Sequence, residues 1–222
     1  MPERAPRRFR LVVFDWDGTL ADSTALIASA LQNACRDLGE PVPDETDARY
    51  VIGLGLADAL RHVAPGLAPE RQRDLVARYR HHYLGGDAQI PLFAGARELL
   101  GELDAAGHLL AVATGKSRVG LDRAFAQQQL AHLFVATRCA DEGHPKPNPD
   151  MLLHLMDRVG VLPRETLMIG DTTHDLELAR NAGSTAVAVS YGAHSSAALT
   201  SFDPAALVHT VAQLGDWLRR NG

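Results

Sequence analysis

Arg10-Leu11-Val12-Val13-Phe14-Asp15-Trp16-Asp17-Gly18-Thr19-Leu20 is the stretch on which the reading of this chain turns. Four consecutive apolar residues, two of them β-branched, suit a short strand buried on both faces, as in the interior of a parallel sheet. The run stops abruptly in two aspartates and a glycine. In an open parallel sheet the carboxyl ends of the strands are where ligands collect, so Asp15 and Asp17 are placed as candidate functional groups.

Upstream, Arg4, Arg7, Arg8 and Arg10 read as a solvated arm ahead of the first strand. Downstream, Asp22 or Ser23 can cap a helix running to about Leu38. Leu26, Ile27, Ala30, Leu31, Ala34 and Leu38 lie on one face of it, and Gly39 stops it. From about Pro41 to Tyr83 the pattern stays helical, interrupted at Gly53-Leu54-Gly55 and Pro65-Gly66, and Gly85-Gly86-Asp87 reads as a hinge. After Pro91 the rhythm changes. Helices at about 94–106, 117–129 and from Asn148-Pro149 to Gly160 alternate with strand-like runs at 108–113, 133–136, 166–169 and 185–189, and a last helix covers roughly 204–219. Strands alternating with helices predict an α/β fold, a parallel sheet with helices on both faces. The helical stretch does not belong to that rhythm. The expected division is a core of residues 1–20 and 88–222, with a helical cap, 21–87, inserted after the first strand.

Composition narrows the function classes. The 222 residues are 46% hydrophobic and 22% charged, near the globular average, and the formal net charge of −5 argues against a nucleic-acid binder. Cys35 and Cys139 stand in no metal or redox spacing, no apolar run approaches the length of a membrane span, and the start lacks a signal-peptide pattern. A cytoplasmic protein with reduced thiols is the expectation. The chain has twenty arginines but only two lysines, Lys116 and Lys146.

The candidate chemistry sits at four strand ends. The first delivers Asp15 and Asp17, the second Thr114-Gly115-Lys116-Ser117, the loop after the third Lys146, and the fourth Gly170-Asp171-Thr172-Thr173-His174-Asp175. These residue types suit phosphoryl transfer. Asp15, Asp171 and Asp175 offer hard oxygen ligands for Mg²⁺, and Asp171 and Asp175, four apart, would share one face of a helix begun there. Lys146 supplies a compact cation in a stiff proline frame. The Thr114 hydroxyl, with Gly115 and Lys116, can hold phosphate oxygens. Asp17, two residues past the attacking Asp15, can protonate a leaving alcohol and then activate water. Asp175 is either a metal ligand or a residue orienting Lys146. His174 reads as a pocket-edge residue, while His62, His81 and His82 read as solvated. Gly53 and Gly55 either separate two helices or form a loop closing over substrate. Arg49 and Arg61, flanking that loop, are candidates for a substrate carboxylate.

In this order, Asp15-Trp16-Asp17-Gly18-Thr19-Leu20, Thr114, Lys146 and Gly170-Asp171-Thr172-Thr173-His174-Asp175 resemble the haloacid dehalogenase superfamily. The resemblance implies a Rossmann-like core with an α-helical cap, an aspartyl-phosphate at Asp15, and a metal held by the Asp15 side chain, the Asp17 carbonyl and Asp171. Asp17-Gly18-Thr19-Leu20-Ala21-Asp22-Ser23, Lys146-Pro147-Asn148-Pro149 and Asp175–Gly183 look like the phosphoglycolate phosphatase branch. Gly115, where that branch often has Asn, and Tyr191-Gly192-Ala193-His194 depart from it.

The expectation is therefore a magnesium-dependent phosphatase acting on a small phosphate ester, with no nucleic-acid or membrane partner, as a monomer or homodimer. A phosphosugar mutase, or a pyrophosphatase or nucleotidase of the same superfamily, is the alternative. A receiver-type phospho-acceptor module would lack both the cap and Asp17. A dehalogenase would need neither metal nor Asp17. A phosphonate hydrolase would need a cap lysine, and residues 20–90 contain none.

Overall fold

The central strand owes its place to residues apolar on both faces. In the computed structural model, which describes residues 8–222, Leu11–Phe14 forms β1 and every residue of it is buried. It lies between β2 (Leu109–Thr114) and β4 (Thr166–Gly170). The sheet continues outward through β3 (Ala136–Cys139), β5 (Thr185–Val189) and β6 (Ala206–Val208), in the order β3-β2-β1-β4-β5-β6, all parallel.

Alternate residues of β1 feed two helical layers. Val12 and Phe14 join a core with Leu99, Leu100 and Leu103 of α5 (Ala96–Ala106), Leu121 and Phe125 of α6 (Arg118–Gln128), and Leu214 and Leu218 of α10 (Val211–Asn221). Leu11 and Val13 join Met151, Leu152 and Leu155 of α7 (Asp150–Val159) and Leu178 and Ala179 of α8 (Thr173–Asn181) on the other face. The period-two alternation thus fixes both layers at once.

Between β1 and α5 the chain forms α1 (Thr24–Asp37), α2 (Glu45–Tyr50), α3 (Leu56–Val63) and α4 (Pro69–Leu84) around a separate apolar cluster that includes Leu31, Ala48, Leu60 and Leu75. The outgoing and returning segments lie side by side: Asp22 N–H donates to Pro91 O at 3.0 Å and Phe93 N–H to Leu20 O at 2.9 Å. The two covalent links of this helical insert are thus paired with each other, and Ala21 bridges both Asp17 and Leu92.

Several local expectations need correction. The third strand begins at Ala136, not Leu133. Residues 131–133 form a 3₁₀ turn whose Leu133 packs on the core, so apolarity there marks packing from a turn. Residues 204–208 are not helical. Ala206–Val208 is an edge strand of three residues, and α9 (Ser196–Thr200) precedes it; both are too short to show a period. Ser23 occupies the cap position of α1 without capping it, because its hydroxyl is used elsewhere. Asn148 does accept from a main-chain N–H, that of Asp150, although Pro149 stands one place earlier than the first helical position. Of the N-terminal arginines, Arg4 and Arg7 lie outside the described residues. Arg8 lies over the Phe9 ring, and Arg10 reaches Glu165 at 3.5 Å. Cys35 and Cys139 are both buried and free. Among the described residues no helix is long and apolar enough to cross a membrane.

Candidate active site

The carboxyl ends of β1, β2 and β4 bring the acidic residues together with a buried lysine. Asp15 closes β1, its N–H bound to Ile169 O of β4 at 2.9 Å. Lys146 Nζ donates to Asp15 Oδ1 at 2.8 Å and to Asp175 Oδ1 at 2.6 Å, and its side chain is fully buried. Asp175 Oδ2 is taken by the N–H and hydroxyl of Thr172, at 3.1 and 2.7 Å, in a capping box that starts α8. Both Asp175 oxygens are thus engaged, one of them by Lys146. Asp171 accepts the Thr19 hydroxyl on Oδ1 and the Ala193 N–H on Oδ2, each at 2.7 Å. Gly18 makes this approach possible. It holds a φ of 84°, and a Cβ there would lie 2.1 Å from Asp171 Oδ2.

One oxygen is left over. Asp15 Oδ2 is buried without a hydrogen-bond partner, and ligand atoms of Asp15, Asp171 and Asp175 all lie within 4.8 Å of one another. Burial first, then the charges of Asp175 and Asp171, raise the Asp15 carboxyl well above its ordinary range against the pull of Lys146. Burial and the Asp175 charge push Asp171 up to about 7. Asp15 and Asp175 in turn drive Lys146 above its ordinary value although burial opposes this. Three carboxylates with one ammonium among them are short of positive charge, and one of their oxygens is orphaned. The donor set fits a hard divalent cation, which takes carboxylate and carbonyl oxygen.

A model of the haloacid dehalogenase-like hydrolase family matches residues 12–189. The chain belongs to this family. A Dickeya dadantii protein named "Probable phosphatase IndB" is 36% identical over 92% of this chain and 91% of its own. A Vibrio vulnificus phosphoglycolate phosphatase is 32% identical over 95% and 96%. The solved structure of SP0104, a haloacid dehalogenase-like family hydrolase from Streptococcus pneumoniae, superposes with a TM-score of 0.82, covering 95% of this chain and 98% of that one at 25% identity.

Against that family frame, the other expected site residues divide. Thr114 is fully buried at the end of β2, and its Oγ1 accepts the Lys116 N–H at 3.2 Å, which leaves the hydroxyl hydrogen to donate. Gly115 lies directly beneath the insert: a Cβ there would be 2.5 Å from Leu54 O and 2.6 Å from Gly53 O. The Gly53–Gly55 loop is therefore seated on the core beside Thr114. Lys116 does not point outward for phosphate. It lies against both Asp17 oxygens and Tyr83 of α4. Arg49 pairs with Glu45 and comes within 3.5 Å of Gly192 O and of Thr24 Oγ1, at the seam between insert and core. Arg61 is exposed and pairs with Asp58 on its own helix.

Other residues enter that the sequence reading missed or took for something else. Ser23 donates to Asp17 Oδ1 at 2.7 Å, a role hidden behind its aptness as a cap. His174 and His194 both bond through Nε2 to Tyr50 O, at 2.8 and 3.0 Å, fastening α2 of the insert to the core. His194 Nδ1 accepts the Thr173 N–H, so its Nε2 carries the hydrogen. Burial holds both imidazoles below their ordinary range. His62 and His81 are exposed, as expected, with the His62 ring 5.0 Å from that of Tyr50 and His81 packed on His82; His82 is half-buried and pairs with Asp37 at 2.8 Å. The Thr172-x-x-Asp175 spacing of a capping box is a signal in the sequence, and it accounts for one of the two Asp175 oxygens.

Proposed function

We propose that the chain is a magnesium-dependent phosphatase that hydrolyses small phosphate monoesters in the cytoplasm through an aspartyl-phosphate at Asp15. The observation that carries this reading is the Asp15 carboxylate itself, with one oxygen gripped by a buried lysine and the other left without a partner. A nucleophile so held is aimed before substrate arrives.

Asp15, Asp171 and the main-chain carbonyl of Asp17 would hold the Mg²⁺ ion. When bound, the ion offsets the negative charge shared by the phosphate dianion and the attacking carboxylate. The remaining work falls to the chain. Lys146 holds Asp15 in line and adds a second positive charge beside the transferring group. Thr114 donates its hydroxyl hydrogen to a phosphate oxygen. The Asp15 carboxylate forms a bond to phosphorus as the ester bond breaks, and the leaving oxygen takes its proton from Asp17. A water then attacks the phosphorus of the acyl phosphate and gives a proton to Asp17, and the Asp15 carboxylate departs with the pair of electrons from the broken P–O bond. Such proton transfer is worth roughly 10²–10⁴ in rate. The insert loop at Gly53–Gly55, resting on Gly115, limits the space on the leaving-group side and suits small esters.

The test is phosphate release from a panel of small monoesters, with Mg²⁺, with chelator, and with Asp15→Asn. Turnover should need Mg²⁺ and vanish in the variant. A tenth of wild-type activity in Asp15→Asn would overturn the proposal.

A further inference from the structure

The chain's two lysines divide between the two aspartates of Asp15-Trp16-Asp17. Lys146 takes Asp15, and Lys116 takes Asp17. Lys116 Nζ lies 3.1 Å from Asp17 Oδ1 and 3.1 Å from Oδ2, a symmetric grip that fixes the rotation of the carboxylate about its own axis. Ser23 holds Oδ1 from the side at 2.7 Å. The remaining ammonium donor goes to Tyr83 Oη at 2.7 Å, and the Tyr83 ring centre lies 4.9 Å from the same nitrogen. An ammonium has three donors, so these partners leave none for a phosphate oxygen. The side chains of Lys116 and Asp17 are only 9% and 10% exposed, so water competes little for the pair.

Tyr83 belongs to the insert, near the end of α4, and stacks on Tyr79 one turn earlier. The turn that carries Lys116 therefore meets the insert twice, through Gly115 under the Gly53 and Leu54 carbonyls and through the Lys116–Tyr83 hydrogen bond. We propose that Lys116 is a positioning residue. Steadied by Tyr83, it aims the Asp17 carboxyl at the leaving oxygen. The proposal rests on the phosphatase reading in which Asp17 carries the proton.

The experiment is rapid-quench measurement of phosphoryl transfer from an alkyl and a nitrophenyl phosphate, with Mg²⁺. The proteins compared are wild type, Lys116→Met, Tyr83→Phe, Asp17→Asn and the Lys116→Met/Asp17→Asn pair. Lys116→Met should slow transfer from the alkyl ester by about 10²-fold, since an unaimed acid loses most of its effect, and slow transfer from the nitrophenyl ester far less. Tyr83→Phe, which deletes one hydroxyl and keeps the ring, should give the same alkyl-selective loss on a smaller scale, in kcat and not in KM. In the Asp17→Asn background, Lys116→Met should add less than about twofold, because its only route of action is gone. Equal losses for the two esters, or a full further loss on top of Asp17→Asn, would overturn the positioning role and make Lys116 a substrate contact or a structural group. If Lys116→Met does not fold, Tyr83→Phe decides, and wild-type kinetics in it sink the proposal. Failure of the underlying reading would look different: Asp17→Asn alone would then show no dependence on the leaving group.

Discussion

Replacing Asp171 with asparagine removes a charge that burial makes costly while keeping the shape of the side chain. The asparagine oxygen can face the fixed Ala193 N–H, and its amide can donate to the Thr19 hydroxyl, which is free to turn, so both 2.7 Å contacts have replacements. What changes is the electrostatics of the cation-free protein. There Asp171 is pushed from 3.8 up to about 7, by burial first and by the Asp175 charge second. A carboxyl whose folded pKa is raised contributes stability that is complete below its unfolded pKa and is lost as pH rises through its folded pKa. A rise from 3.8 to about 7 corresponds to a loss of roughly 4 kcal/mol in all, of which about 1 kcal/mol falls between pH 6.5 and 8. Asp15, raised as well, acts in the same direction. His174 and His194, held low by burial, act in the opposite direction, but only below about pH 6.5. In chelator, Asp171→Asn should therefore be more stable than wild type, and the gap should widen by about 1 kcal/mol from pH 6.5 to 8. For a chain of this size that is a relative Tm shift of about 2–4 °C. Adding Mg²⁺ should stabilise wild type at pH 8 and do nothing for the variant. Thermal melts at three pH values, with chelator and with Mg²⁺, measure all of this. A variant less stable than wild type in chelator at pH 8, or a gap that ignores pH, would refute the reasoning.

Three further outcomes follow from the geometry. Lys146→Arg should lose activity by about 10²-fold or more at constant charge, because a planar fork cannot replace an ammonium set 2.8 and 2.6 Å from two carboxylates in a fully buried slot; wild-type rates would demote Lys146. Gly115→Asn should lower kcat/KM by about tenfold without unfolding the core, because its Cβ must displace carbonyls at 2.5 and 2.6 Å and lift the insert; unchanged kinetics would show the insert already stands off in solution. Ca²⁺ should inhibit the Mg²⁺-supported reaction, since its larger and looser coordination misplaces the carboxylate; equal turnover with either ion would contradict the proposed assembly.

The sheet and its chemistry were legible because they are written locally. Val12 and Val13 have no reading except a buried strand, and Asp15, Thr114 and Asp171 follow such runs directly, so parallel topology alone brings them together. Lys146 could be singled out because lysine is scarce in this chain and prolines surround it. The rest depends on distance in the sequence. Leu133 and Phe134 look like a strand but pack from a turn, and β6 is a three-residue edge element with no period to read. Lys116 was read as a phosphate contact because its partners come from the turn after β1 and from α4, and nothing local to Thr114-Gly115-Lys116 says that Tyr83 will arrive from the insert. The hold of His174 and His194 on Tyr50 O is invisible for the same reason, since its acceptor is a main-chain carbonyl with no residue signature. Arg49 and Arg61 were equivalent in sequence; the fold separates them, one at the seam and one paired outward.

The account stands on covalent chemistry at Asp15, and that can be observed directly. The Asp17→Asn variant, mixed with a nitrophenyl phosphate and Mg²⁺ and quenched in acid within the first turnover, should carry one phosphoryl group per chain, because the leaving group departs unaided while the attacking water has lost its base. Peptide mass spectrometry should place that group on Asp15. Release of nitrophenol at the same rate with no label on the protein, or with the label on any other residue, would contradict the assignment of Asp15 as the nucleophile.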